Sequence, residues 1–219
     1  MSHGRYRSID DLPAMLGVFP LTGVLLLPRG QLPLNVFEPR YLSLVDAAMS
    51  GSRLIGMIQP AEHEDKALKP ALTAVGCAGR VTSYRETDDG RYLITLTGIC
   101  RFRLANELPM REAYREVHPD YAPFAGDLVS ESEADFPRER LFAALKDYLS
   151  TRDLKADWRS VMSAPAETLV NALAMLCPFE PAEKQALLEA PGWRERVDTL
   201  VALLEMSSLA PPAGGGALN

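Results

Sequence analysis

The feature that most constrains this chain is the run 19–41, FPLTGVLLLPRGQLPLNVFEPRY, in which prolines and a glycine cut two short apolar segments apart. Residues 24–27 are too few for a helix and read as a buried strand, ended by Pro28-Arg29-Gly30. Leu32, Leu34 and Val36 then alternate with Pro33 and Asn35, the period of a strand with one buried face. Pro33 has no N–H to give to a ladder, so this strand belongs at an edge or a bulge. Glu38-Pro39 opens a helix, because proline suits the first helical turn. Tyr41, Leu42, Leu44, Val45 and Ala48 then recur at helical spacing before Gly51.

Beyond Gly51 the strand pattern returns. Residues 54–58 form an apolar strand, 60–70 a charged loop, and 72–81 a strand bent at Gly76 and Gly79, continued by 82–87. Asp88-Asp89-Gly90 is a hairpin turn, after which 92–98 returns. Residues 99–104 are expected as a further strand, with Phe102 and Leu104 on one face and Arg101 and Arg103 on the other. A last strand is expected at 114–118. Strands this dense around one short helix call for a small barrel-like β domain. Residues 119–135 carry five acidic and no basic side chains and read as a connector, with a final strand near 121–124.

From Phe136 the apolar period becomes helical. Leu141, Phe142, Leu145, Tyr148 and Leu149 form one stripe, and Leu169, Leu173 and Leu176 a second. Pro181 opens a third helix with Leu187 and Leu188, and Val197, Leu200, Val201 and Leu204 mark a fourth. The expected organisation is α+β: a flexible arm over 1–14, a β domain over 15–124, and an acidic connector over 125–135. A small helical bundle over 136–209 and a disordered tail over 210–219 complete it.

Charge and cysteine content limit the function classes. A net charge of −6 disfavours a nucleic-acid partner, since phosphate binding needs a basic surface. No apolar run reaches the ~18 residues of a membrane span, and the polar N-terminus lacks a signal-peptide core, so no membrane partner is expected and the cytoplasm is the expected compartment. Cys77, Cys100 and Cys177 stand far apart in apolar runs, as buried thiols of a reducing compartment do.

Few side chains invite chemistry. His3, His63 and His118 are isolated, and the Glu62-His63-Glu64-Asp65 cluster reads as a solvated loop, so no metal site is expected. Glu38 and Arg40 are the sharpest polar pair. Arg40 beside Tyr41 would suit a grip on a peptide carbonyl or carboxylate. The structural alternative, which is favoured, puts Glu38 at the positive end of the helix with Arg40 paired to a carboxylate. Arg101 and Arg103, with Arg80 or Arg91 across the sheet and Tyr84 and Tyr92 nearby, would make a basic stripe for RNA. Glu86, Asp88 and Asp89 in the same hairpin favour a mixed, solvated face instead. No G-x-S-x-G elbow marks a hydrolase, and no G-x-x-x-x-G-K-[ST] marks a nucleotide site, so no cofactor is expected.

Several ordered blocks resemble the Lon N-terminal, or substrate-binding, domain family. Phe19, Pro20, Leu21, Pro28, Leu32, Pro33, Leu34, Phe37, Glu38, Arg40 and Tyr41 fall where that family's opening pattern places them. Val75-Gly76 to Val81 and Gly98-Ile99-Cys100-Arg101-Phe102 resemble two of its later strands. The resemblance spans about residues 16 to 205 and looks like a standalone form, without the motor and protease domains. It implies a pseudo-barrel similar to PUA domains, followed by a helical bundle. It also implies a non-enzymatic module that binds unfolded or tagged polypeptide or serves as an adaptor to another protein. An RNA-binding PUA-like module and a small hydrolase are the alternatives. The expected site is the groove between barrel and bundle, with Glu38, Arg40, Tyr41, Arg101 and Arg103 as the candidate contacts; oligomeric state is left open.

Overall fold

A computed structural model describes residues 6–61, 69–129 and 136–209. His3, the 62–65 cluster, Glu131, Glu133, Asp135 and the tail 210–219 lie outside these residues. Six strands, β1 (Leu16–Pro20), β2 (Gln31–Val36), β3 (Leu54–Pro60), β4 (Leu72–Glu86), β5 (Tyr92–Glu107) and β6 (Arg115–Asp120), form one sheet. β1 runs parallel to β3 and antiparallel to β6, while β4 is antiparallel to both β3 and β5. β5 is long enough to serve two neighbours in turn: its first half pairs with β2 and its second half with β6. The ring β1–β3–β4–β5–β6 thus closes on itself, and closure removes the free edges that an open sheet must guard. β2 is left outside as the edge strand that Pro33 demands.

Bending so long a strand needs bulges, and the register shifts at Ala78/Gly79, at Val81/Ser83 and at Leu104/Asn106 supply them. Phe102 is fully buried inside the ring. Gly56 and Gly76 leave it room, since a Cβ at either would press on its ring. The hairpin between β4 and β5 turns at Gly90, whose φ of +77° suits glycine.

Helix α1 (Pro39–Ser50) buries Tyr41, Leu44, Val45 and Ala48 and contacts β1 and β3. Beyond the sheet come α2 (Arg138–Thr151), α3 (Trp158–Ser163), α4 (Ala166–Leu176), α5 (Pro181–Glu189) and α6 (Trp193–Leu209). Leu141, Leu145 and Tyr148 of α2 are buried, as are Val197, Leu200, Val201 and Leu204 of α6, and these two helices pack together. The buried side chains of barrel and helices form one continuous cluster. The α+β architecture with C-terminal helices is the one expected.

Several local features differ from expectation, and among the described residues five helices follow the sheet where four were expected, α3 being the addition. Residues 24–27 are not a strand, although Leu25, Leu26 and Leu27 are buried; this loop crosses the sheet at Gly98, where a Cβ would overlap the Leu27 carbonyl oxygen. Leu16–Pro20, to which the sequence pattern assigned no strand, is β1. Tyr6 and Leu12 are buried, so the part of the arm from Tyr6 onward is docked rather than loose. Residues near 121–124 belong to a 3-10 segment, Ala122–Leu128, in place of a strand.

Candidate functional site

Glu38, Arg40 and Tyr41 come together, but against one another. Arg40 pairs with Glu38 at 2.7 Å with both side chains about half exposed, and its guanidinium lies 4.5 Å from the centroid of the Tyr41 ring. That ring stacks on Phe19 at 3.9 Å. Burial pushes the Tyr41 phenol up, and its hydroxyl donates to the Pro20 carbonyl at 3.4 Å. The stack fastens the first turn of α1 to β1.

Arg101 and Arg103 do not form a stripe. Arg103 is exposed, whereas Arg101 is buried beneath the 3-10 segment and α5. Its Nε and Nη2 donate to the Asp127 carboxylate at 2.9 and 2.8 Å, and Asp127 also accepts the Arg101 backbone N–H at 2.9 Å. Nη1 donates to the carbonyls of Leu188 and Ala190 at the C-terminal end of α5, where a cation is favoured by the helix dipole. The guanidinium sits 4.5 Å from the Phe124 ring centroid. Arg101 is therefore a clasp between barrel, connector and helices. Arg80 bonds the Tyr6 hydroxyl and Arg91 pairs with Asp89, so neither extends a basic surface to Arg103.

The groove between barrel and helices holds a cleft of about 440 Å³. Its floor is Arg29-Gly30-Gln31, just before and into β2, and its wall is α4, through Glu167, Asn171 and Met175. Arg29 has a φ of +64°, a conformation that costs a non-glycine residue about 1 kcal/mol or more. Its surroundings hold it there. The Arg29 N–H donates to the Gly98 carbonyl at 2.8 Å, Nη1 donates to the Asp127 carbonyl at 2.7 Å, and Nε donates to Glu167 Oε1 at 2.7 Å. Nη2 pairs with the same carboxylate. Across the floor, Asn171 Nδ2 donates to the Pro28 carbonyl at 2.8 Å. Asn171 is only 3% exposed, and its Oδ1, closed off from solvent, accepts no hydrogen bond among the described residues.

The apolar side of the cleft is Ala172, Met175 and Leu176. Met175 sits directly against Gly30, where a Cβ would meet its sulfur at 2.5 Å. Leu176, expected in the packed stripe of α4, is instead 81% exposed at the cleft rim. A second cleft of about 340 Å³ lies between β3 and α5. Its central amides are satisfied: Gln59 accepts from Gly23 N–H and donates to the Pro181 carbonyl, and Gln185 donates to the Val75 carbonyl. Among the described residues no group of three or more His, Cys, Asp or Glu side chains is placed to hold a metal ion.

None of Arg29, Glu167 or Asn171 stood out as a site residue in the sequence. Arg29 passed as part of a strand break. Asn171 left one signal, a polar residue inside the apolar run of α4.

Comparison with known proteins adds the family. The model of the ATP-dependent protease La (LON) substrate-binding domain matches residues 15–206, most of the chain. The chain belongs to the Lon substrate-binding domain family. Among its relatives, the Lon protease of Flavobacterium johnsoniae is 23% identical over 85% of this chain and 23% of its own length. The Lon protease of Desulfosudis oleivorans is 31% identical over 44% of this chain and 12% of its own. The Lon-family chain thus spans at most about a quarter of these curated relatives. The Lon N-terminal domain protein from Xanthomonas campestris has the same fold, with a TM-score of 0.57 and 23% identity over 87% of this chain and 98% of that one. The N-terminal domain of a Mycobacterium avium complex Lon protease matches equally well, with a TM-score of 0.57 and 18% identity over 87% of this chain and 97% of that one. The family match is to the substrate-binding domain; no helix among the described residues is long and apolar enough to cross a membrane.

Proposed function

We propose that this chain binds unfolded polypeptide, and that the cleft between the β2 entry and α4 is where it does so. The observation that carries the reading is the composition of that cleft in a Lon substrate-binding fold. An exposed leucine and a methionine stand beside the polar side chains of Arg29 and Gln31 on the floor and Asn171 in the wall. Unfolded segments offer apolar side chains together with main-chain amides, and this lining suits both. Methionine adds adaptability, because its unbranched, polarizable side chain fits differently shaped partners. An adaptor role would use the same cleft for an exposed segment of a partner protein.

Fluorescence anisotropy with labelled, reduced and carboxymethylated lactalbumin tests this. Micromolar binding is expected, with no comparable binding of the native, disulfide-bonded form. Ala172→Trp, which fills the cleft from its wall, should weaken binding at least about tenfold, the equivalent of about 1.4 kcal/mol. Arg40→Ala, on the distant Tyr41 stack, should leave it within about twofold. Absence of binding at these concentrations, or equal loss in both variants, would sink the proposal.

A further inference from the structure

The cleft opens onto a sheet edge. Gln31 lines the cleft and is also the first residue of β2, the strand that ends the sheet. Among the described residues the one strand neighbour of β2 is β5, so its other side is a free edge. The phase of the ladder fixes which groups that edge presents. Gly98 N–H donates to the Gly30 carbonyl at 2.9 Å, which sets Gly30, and with it Leu32, Leu34 and Val36, to bond β5. Gln31, Pro33 and Asn35 therefore turn their main-chain groups away from β5. Thr95, opposite Pro33, agrees: its carbonyl accepts from Thr82 Oγ1 of β4, on the side away from β2. Gln31, Pro33 and Asn35 are all exposed.

The edge thus offers the N–H and C=O of Gln31 and Asn35 and the C=O of Pro33, at the spacing of an extended strand. Such a row is ordinarily guarded by charges, prolines or bulges. The β2 sequence, QLPLNV, carries no charge, and its guard is Pro33, which withholds a donor and keeps an acceptor. Pro33 also discriminates between the two strands that such an edge can take. Two copies of this chain paired antiparallel about Pro33 would lose both bonds of the central pair, whereas a foreign strand loses one. Exposed apolar side chains stand at the two ends of the edge. Leu176, 81% exposed, is at the cleft, and Phe37, 61% exposed, follows Val36. The six residues of β2 span about 20 Å between them.

We propose that an extended polypeptide segment leaves the α4 cleft along β2 and adds to its free edge as an antiparallel strand. Alternate residues of the segment bond the main chain of Gln31, Pro33 and Asn35, and apolar side chains near its ends rest on Leu176 and Phe37. The proposal rests on the polypeptide-binding reading and deepens it by naming the bound conformation and the groups that recognise it. Main-chain pairing reads no particular sequence, so it suits many unfolded segments. A folded protein has already committed its amides to its own secondary structure and has no such strand to give.

The test perturbs ligand and edge in turn. Short labelled peptides tiling reduced, carboxymethylated lactalbumin are ranked for binding to the intact chain, and the tightest is remade with one N-methylated amide at a time. Sensitive positions should recur at every second residue, each weakening binding about tenfold, while the amides between them stay within about twofold. On the protein side, Pro33→Ala returns an N–H to the edge and should tighten the parent peptide about threefold to tenfold. Asn35→Pro removes an edge N–H without touching the ladder to β5 and should weaken the peptide about tenfold, its folding checked by thermal transition. Should Asn35→Pro unfold, the N-methyl scan and Pro33→Ala decide the matter without it.

Peptide binding without that alternation would overturn the inference and leave the proposed function standing, as would an affinity that Pro33→Ala leaves unchanged or lowers. A dimer in sedimentation equilibrium that the peptide does not displace and Asn35→Pro dissolves would give the edge to a second copy, and would overturn it equally. Failure of both lactalbumin and every peptide to bind would instead defeat the polypeptide-binding reading itself.

Discussion

Removing Asp127 should be among the most damaging single changes in this chain. The Asp127 and Arg101 side chains are 8% and 4% exposed, so their charges are out of water. Asp127→Ala deletes the acceptors of Arg101 Nε, Nη2 and backbone N–H in one step. Only the carbonyls of Leu188 and Ala190 then remain for the guanidinium. Breaking a buried pair from one side costs about 3–5 kcal/mol, because the remaining charge is stranded. For a chain of this size, where each kcal/mol moves the midpoint by about 2–4 °C, the transition should fall by about 6–20 °C. Differential scanning calorimetry measures it directly. Arg140→Ala breaks the exposed pair with Glu205 and serves as the control, with an expected cost below about 1 kcal/mol. The double replacement Arg101→Met with Asp127→Leu leaves no buried charge and should be less destabilised than Asp127→Ala alone. A loss for Asp127→Ala as small as that of the Arg140 control, or double-variant costs that simply add, would refute the clasp.

Three other outcomes arise from local geometry. Burial pushes the Cys100 thiol up to about 12 and Cys177 up to about 11, and raises Cys77 as well, so all three should resist a thiol reagent at pH 8 in the native protein and react fully in denaturant. Gly98→Ala should destabilise by several kcal/mol in denaturant titrations, because its Cβ would collide with the Leu27 backbone rather than with a movable side chain. The hydrogen bond from Arg115, helped by Lys69, holds the Glu107 carboxyl below its ordinary value. Its stabilising contribution is thus complete above the ordinary carboxylate range, near pH 4.5, and is lost as pH falls through the depressed value. Glu107→Gln should remove that part of the acid sensitivity and leave the rest of the profile between pH 5 and 3 unchanged in shape, as followed by circular dichroism.

Strand periods, prolines and helical stripes carried most of this fold, because each reports burial along a single element. They fail where burial and hydrogen bonding part company. Residues 24–27 are as apolar as a core strand and as buried, yet they pack as a loop over Gly98; apolarity records removal from water, not the partner of a backbone N–H. The unexpected helix α3 buries no residue, so it had no stripe to show; only its capping residue, Asp157, marked its start. Alternation correctly separated Arg101 from Phe102 along β5, but in a barrel wrapped by helices the outward face is not everywhere the wet face. Helix α5 and the 3-10 segment turned Arg101 from a surface cation into a buried clasp.

The cleft shows the same limit more sharply. Arg29 and Glu167 are 138 residues apart in sequence, and nothing near either announces the other. A site assembled from two distant segments leaves local marks only where it breaks a local rule. Two such marks exist: a left-handed arginine, which sequence cannot reveal, and an asparagine in an apolar helical run, which it can. Tertiary structure normally satisfies a buried carboxamide on both its atoms, and at Asn171 it satisfies one. The more conspicuous charges of Glu38 and Arg40 already satisfy each other, so the cleft beside α4 is the better place to seek the site.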